Sequence, residues 1–264
     1  MVLPTGKKEI KVMKSNLLFY KEYEEFYAMA NKSNAFHAYC EDAFEADFSQ
    51  DGFSNKEQID MILPYIPHQD NVHILDIGCG NGKMLGYIQE KTGAYIHGFD
   101  YSEEAIQTAR ALFLNNAEFC DGIIGRIDYP EAMFDVIISM DTMYFAEDMT
   151  AFVSQIKKWL KPDGVFFVGY QEGDVVAKTE NIHTSMLSKA LVANGLKFEV
   201  TDITRKTYEL LNIKRKAAQK HKAAFEKEGN IAWYNMLIAQ TDCATESFEK
   251  FKEMMARYIY VIRR

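Results

Sequence analysis

Cysteine, proline and long apolar runs are all scarce in this 264-residue chain. Its four cysteines are Cys40, Cys79, Cys120 and Cys243, none in a Cys-x-x-Cys pair and none with a histidine at ligand spacing. That argues against a disulfide-stapled scaffold and against a structural zinc site. A chain this long can bury about 73% of its unfolded surface and needs neither staple. A reduced, cytoplasmic protein without a bound metal is expected. The five prolines sit in no low-complexity stretch, so no linker stands out. No segment approaches the ~18 apolar residues of a membrane helix. Residues 1–10 carry Lys7 and Lys8 but no apolar core of a secretory signal, so no membrane association is expected.

Basic charge is also in deficit. Thirty Lys and Arg face 38 Asp and Glu, a net of −8. Duplex binding leans on phosphate neutralisation, so an acidic chain is a poor nucleic-acid binder unless its basic residues cluster. One cluster exists, between Arg205 and Glu228, where eight basic residues (Arg205, Lys206, Lys214, Arg215, Lys216, Lys220, Lys222 and Lys227) outnumber three acidic ones. A solvated helix face is its plainest reading.

What is present is an alternation. Residues 72–77 form a short apolar run that ends in glycines and reads as a buried strand. Helix over 83–91, strand over 94–99, helix over 102–114 capped by Ser102, and strand over 117–120 follow. Strand over 134–140, helix over 148–160, a turn at Lys161-Pro162-Asp163-Gly164 and strand over 165–170 come next. A helix over 181–194 closes on Gly195. Strands over 197–203 and 258–263 end the pattern, separated by a helical excursion over about 207–240. Such alternation implies an α/β, doubly wound, Rossmann-like sheet of seven mostly parallel strands. Three parts are expected: an aromatic-rich helical arm or lid over 1–70, an α/β core over 71–204 and 256–264, and a helical insertion or cap over 205–255.

In such sheets ligands bind beyond the carboxyl ends of the strands, near the topological switch. The first strand runs into Asp76-Ile77-Gly78-Cys79-Gly80-Asn81-Gly82, where alternate glycines let backbone approach a ligand closely. A dinucleotide fingerprint would place its third glycine at 83, which is Lys; a P-loop would follow Gly82-Lys83 with Ser or Thr, and Met84 stands there. Both phosphate readings weaken, and with them a nicotinamide oxidoreductase. Asp100 ends the second strand, where a carboxylate can accept from both hydroxyls of a ribose. Asp121 ends the third.

These residues carry a resemblance. Leu75-Asp76-Ile77-Gly78-Cys79-Gly80-Asn81-Gly82 resembles the first motif of class I S-adenosylmethionine-dependent methyltransferases. Gly98-Phe99-Asp100-Tyr101-Ser102 is similar to their acidic second-strand motif. Phe134-Asp135-Val136-Ile137-Ile138-Ser139 and Leu160-Lys161-Pro162-Asp163-Gly164 resemble their later strands. The resemblance spans residues 70–170. Upstream, Phe48-Ser49-Gln50-Asp51-Gly52-Phe53 resembles the lid of small-molecule members. It implies S-adenosyl-L-methionine as cofactor, with Gly78, Cys79 and Gly80 under its methionine part and Asp76 near its amine. Asp100 would hold the ribose, Tyr101 would pack on the adenine, and Asp121 with Gly122 and Ile123 would flank that base. Met140 and Asp141 would line the floor beside the sulfonium.

The acceptor side is harder to read, because aligning the reactants alone lowers a barrier by ~7–11 kcal/mol and leaves no fixed motif. Asp141, Tyr144 and His183 are the candidate catalytic groups, His183 as a base near neutral pH. Tyr23, Tyr27, Tyr170 and Trp233 are candidate substrate walls, offering cation–π contact to the sulfonium or to an amine substrate if they do more than pack. Asp141-Thr142-Met143-Tyr144 lacks the prolines of nucleobase amino-methyltransferases. A small-molecule methyl acceptor is expected, with a homodimer left open. The alternatives are a tRNA or rRNA methyltransferase and a cofactor-binding protein without transfer activity.

Overall fold

The computed structural model describes residues 14–264. The reading of residues 1–10 lies outside that range. Three helices open it: α1 (Tyr20–Ala30), α2 (Asn34–Phe44) and the short α3 (Lys56–Asp60). The strands are β1 (His73–Ile77), β2 (Tyr95–Asp100), β3 (Ala117–Asp121), β4 (Phe134–Met140), β5 (Leu160–Glu172), β6 (Lys197–Asp202) and β7 (Ala256–Arg263). They form one sheet in the order β3-β2-β1-β4-β5-β7-β6. The first five run parallel, and β7 enters antiparallel between β5 and β6. The switch point lies between β1 and β4. Both strands are near-continuous apolar runs, as burial on two faces requires.

Helices α4 (Lys83–Thr92), α5 (Glu103–Leu112), α6 (Met149–Trp159) and α7 (Met186–Ala193) cover the faces. Side-chain caps set three of their starts: Ser102 accepts from the Ala105 N–H, Asp148 from Ala151 and Ser185 from Ser188. Each such cap contributes about 1 kcal/mol.

The expected helical excursion is longer than 207–240. It comprises α8 (Thr204–Lys227), α9 (Ile231–Ala239) and α10 (Phe248–Met254). Arm and insertion pack on each other. The Glu228 carboxylate, just past α8, accepts from the Ser33 hydroxyl and the Ala35 N–H at the start of α2. Phe26 of α1 meets Trp233 of α9 edge to face at 6.0 Å.

Two local expectations change. Lys161–Gly164 is not a turn between elements but a bulge inside β5, since Phe134 pairs with Leu160 while Val136 pairs with Val165. The helix expected over 181–194 is split, because Asn181 caps a 3-10 turn at Ile182–Thr184 and Ser185 starts α7 afresh.

Half of the basic cluster is paired with carboxylates within the fold. Arg215 pairs with Asp242, Lys220 with Asp42, Lys222 with Glu226 and Lys206 with Glu57. Lys214 is buried, its ammonium donating to the Gly52 carbonyl at 3.1 Å and facing the rings of Phe44 and Phe53. Burial pushes its pKa down. Among the described residues, no helix is long and apolar enough to cross a membrane and no cluster of His, Cys, Asp and Glu could hold a metal ion.

Candidate functional site

A cavity of about 860 Å³ lies at the carboxyl ends of β1, β2 and β4, roofed by α1, the 48–54 segment and the insertion. That volume is toward the upper end of the ~300–1,000 Å³ seen for small-molecule sites.

Its floor is the turn after β1. Gly78 and Cys79 donate their N–H groups to the Phe99 carbonyl at 2.9 and 3.1 Å, tying the turn to β2. Gly80 has φ of +53°, and a Cβ there would stand 2.2 Å from the Tyr27 hydroxyl. Only glycine fits that close approach. Asp100, 6% exposed, accepts from Gly80 N–H at 3.0 Å and Ser102 N–H at 2.8 Å. Burial raises its pKa to about 6, against the pull of those two donors. Asp76 is buried more deeply, with Oδ1 unpartnered among the described residues. Burial, then the neighbouring Asp100 charge, pushes its pKa well above the usual carboxylate range.

Of the expected cofactor residues, Asp76, Gly78, Cys79, Gly80, Asp100, Tyr101, Gly122, Ile123 and Met140 all line this one cavity. Asp121 does not. Its carboxylate turns away to the buried Lys14, which also reaches Glu103 at 3.7 Å. Tyr101 packs against Tyr20 and Tyr23 of the arm, and its hydroxyl donates to the Leu18 carbonyl at 3.1 Å.

On the acceptor side, Asp141, Tyr144, Tyr23, Tyr27 and Trp233 line the cavity. Asp141 is held, however. Its two oxygens accept from Arg257 Nε at 3.0 Å and Nη2 at 2.7 Å, both groups buried, on a backbone with φ of +59°. A carboxylate so paired is no free general base. Tyr170 is fully buried outside the cavity, against Tyr144 and Tyr260. His183 is also outside. It sits exposed on the 3-10 turn with its ring 5.9 Å from Phe198, flanking β6, so it cannot reach a reacting atom in the cavity.

Sequence reasoning missed Arg257, Thr142 and Gln240. Arg257 also donates to the Phe53 carbonyl, Gln58 and Ser54, joining β7 to the cavity wall. The strand expected over 258–263 starts one residue past Arg257, and no local pattern singles that arginine out. Thr142 donates to the Ile77 carbonyl at 2.7 Å, clamping the end of β4 to that of β1. Gln240 donates to both oxygens of Asp51, at 2.9 and 3.1 Å.

Residues 68–222 match the family model described as a methyltransferase domain. The chain belongs to the methyltransferase-domain family. It is 34% identical over 99 residues to the ubiquinone biosynthesis O-methyltransferase of Neisseria meningitidis serogroup A, a match covering 36% of this chain and 42% of that protein. The chain spans less than half the length of the curated relatives it matches. Among solved structures, Haemonchus contortus phosphoethanolamine N-methyltransferase 2 superposes with a TM-score of 0.71 at 17% identity, over 91% of this chain and 59% of that one. A cyclopropane synthase from Mycobacterium tuberculosis gives 0.69 at 17% identity, over 92% and 98%. These likenesses show the fold of the methyltransferase domain.

The cavity also passes a chemical test for that family's methyl donor. An unpartnered buried carboxylate invites a cationic group, and the glycine turn leaves room a Cβ would fill. No Lys, Arg or His side chain among the described residues lines the space to repel a sulfonium.

Proposed function

We propose that this chain transfers the methyl group of S-adenosyl-L-methionine to a small-molecule acceptor. The observation that carries the reading is Asp76: a buried carboxyl group with an unpartnered oxygen, beside a glycine turn, in a cavity that no cationic side chain of the described residues lines. Asp76 would hold the donor's amine, Gly78, Cys79 and Gly80 its methionine part, and Asp100 its ribose. Tyr101, Gly122 and Ile123 would enclose the adenine, with Met140 on the floor. When bound, the donor supplies a methyl already activated by positively charged sulfur.

The chain's own work is then alignment and exclusion of water. Tyr23, Tyr27, Tyr144 and Trp233 would wall the acceptor. Asp141, neutralised by Arg257, fixes the wall rather than moving a proton. Asp121 orders the arm through Lys14. His183 and Tyr170 have no part at this site. A small molecule fits better than tRNA or rRNA because half of the basic residues of that helix are spent on internal carboxylates and Lys214 is buried.

The test is a turnover screen of the purified chain with S-adenosyl-L-methionine against a metabolite library and bulk tRNA, reading S-adenosylhomocysteine. Release with at least one small molecule is expected. Turnover with tRNA alone, or donor binding without release for any acceptor, would overturn the reading.

A further inference from the structure

The acceptor half of the cavity has a one-sided chemistry. Asp51 and Asp174 line it from two separate loops, and the exposed Glu22 and Glu147 stand at its rim. Among the described residues, Asp51 is hydrogen-bonded by the neutral Gln240 amide and Asp174 by Gln171 at 3.4 Å. Glu147 has one exposed partner, Arg126, at 3.4 Å. Lys214 lies behind the Asp51 loop, outside the cavity lining, donating to the Gly52 carbonyl and facing Phe44 and Phe53, and it feels the Asp51 charge from there. A cleft walled by one sign of charge concentrates ligands of the other.

The hydroxyls of Tyr23 and Tyr144 line the same half without a hydrogen-bond partner among the described residues, free to meet a ligand's polar group. Tyr23 and Trp233 add ring faces that attract a cation. A phosphate or carboxylate would lose its water and stand against the like-charged Asp51 and Asp174 side chains.

We infer that the methyl acceptor is an amine, protonated in solution, with an apolar body and no phosphate or carboxylate. The inference rests on the methyl-transfer reading above. Asp51 and Asp174 draw in the ammonium, which gives its proton to water at the rim before reaction. The nitrogen lone pair then forms the N–C bond as the C–S bond breaks, its electron pair staying on sulfur. The second proton leaves to water from the methylated ammonium.

The experiment has two arms, both on the full chain. Calorimetry with S-adenosylhomocysteine alone tests the donor site; no binding there would sink the methyl-transfer reading itself. With the donor product bound, a series of alkyl- and arylalkylamines is compared with size-matched carboxylates and with phosphoethanolamine. Amines of the series should bind about tenfold or more tighter than their carboxylate partners, the range of a hydrogen bond to a charged group. Asp51→Asn and the more exposed Asp174→Asn should each shrink that ratio, while retained affinity for S-adenosylhomocysteine reports an intact fold. Carboxylates or phosphoethanolamine binding as well as the amines, or no amine binding at all, would overturn the inference while leaving the donor site standing.

Discussion

The two halves of the cavity are built in opposite ways. The donor half is built on backbone: the five-residue turn Gly78–Gly82 after β1 and the ends of β2 and β3, fixed by N–H groups that bond Phe99 and Asp100, with the Asp76 and Asp100 carboxylates at strand ends. The acceptor half is side chain, gathered from α1, the 48–54 segment, the 173–175 loop and the insertion. A backbone site must keep its glycines and spacing whatever surrounds it. A side-chain site can be relined without disturbing the sheet. Relatives that share the first half can therefore differ in the second, as a fold alone does not set a reaction.

The sharpest way to break this comparison is at Arg257, where both halves meet the sheet. Arg257→Met strands the Asp141 carboxylate without a buried partner and frees the Phe53–Gln58 wall. A loss of about 3–5 kcal/mol is expected in chemical denaturation, the range for breaking one side of a buried pair. An unchanged midpoint would show that the wall stands without it. Next is the turn itself. Gly80→Val forces a β-branched residue to a positive φ and into the Tyr27 hydroxyl. Donor affinity should fall about 100-fold with the circular-dichroism spectrum preserved.

The smallest effect separates the halves by pH. Asp100 is raised to about 6 in the folded chain, so its protonated form is favoured there. Its contribution to stability is full below the ordinary carboxylate pKa and is lost as pH rises through about 6. The ligand-free protein should thus lose a little thermal stability across that window, and Asp100→Asn should flatten the trend. Donor affinity should move oppositely, falling about tenfold from pH 7 to pH 5 as the ribose acceptor is protonated.

The same division explains what could be read in the sequence. Strand alternation, the 78-80-82 glycine spacing and acids at strand ends are local patterns, and they placed β1 to β4 within a residue or two. Ser102 marked its helix start because the cap bond spans three residues. Elsewhere long-range pairing decided. Lys161-Pro162-Asp163-Gly164 has turn chemistry, but pairing with β4 on both sides of it kept it within the strand. His183 looked available because nothing local shows that its turn flanks β6, away from the cavity. Asp141 lines the cavity, but its carboxylate is engaged by Arg257, 116 residues away, which no local pattern shows. Asp121 followed its strand-end pattern, yet Lys14, 107 residues earlier, claims it.

A guanidinium satisfied by five hydrogen bonds also dictates how the molecule can breathe. Opening the Phe53–Gln58 side would strip the guanidinium of three of its five acceptors in a buried setting, so that side behaves as a fixed jamb. The facing side, α1 against α9, is joined mainly by rings such as Phe26 on Trp233, which can slide at little cost. Passage of ligands is thereby confined to the aromatic side, and hydrogen exchange along Tyr20–Ala30 should be quicker than along Ala256–Arg263.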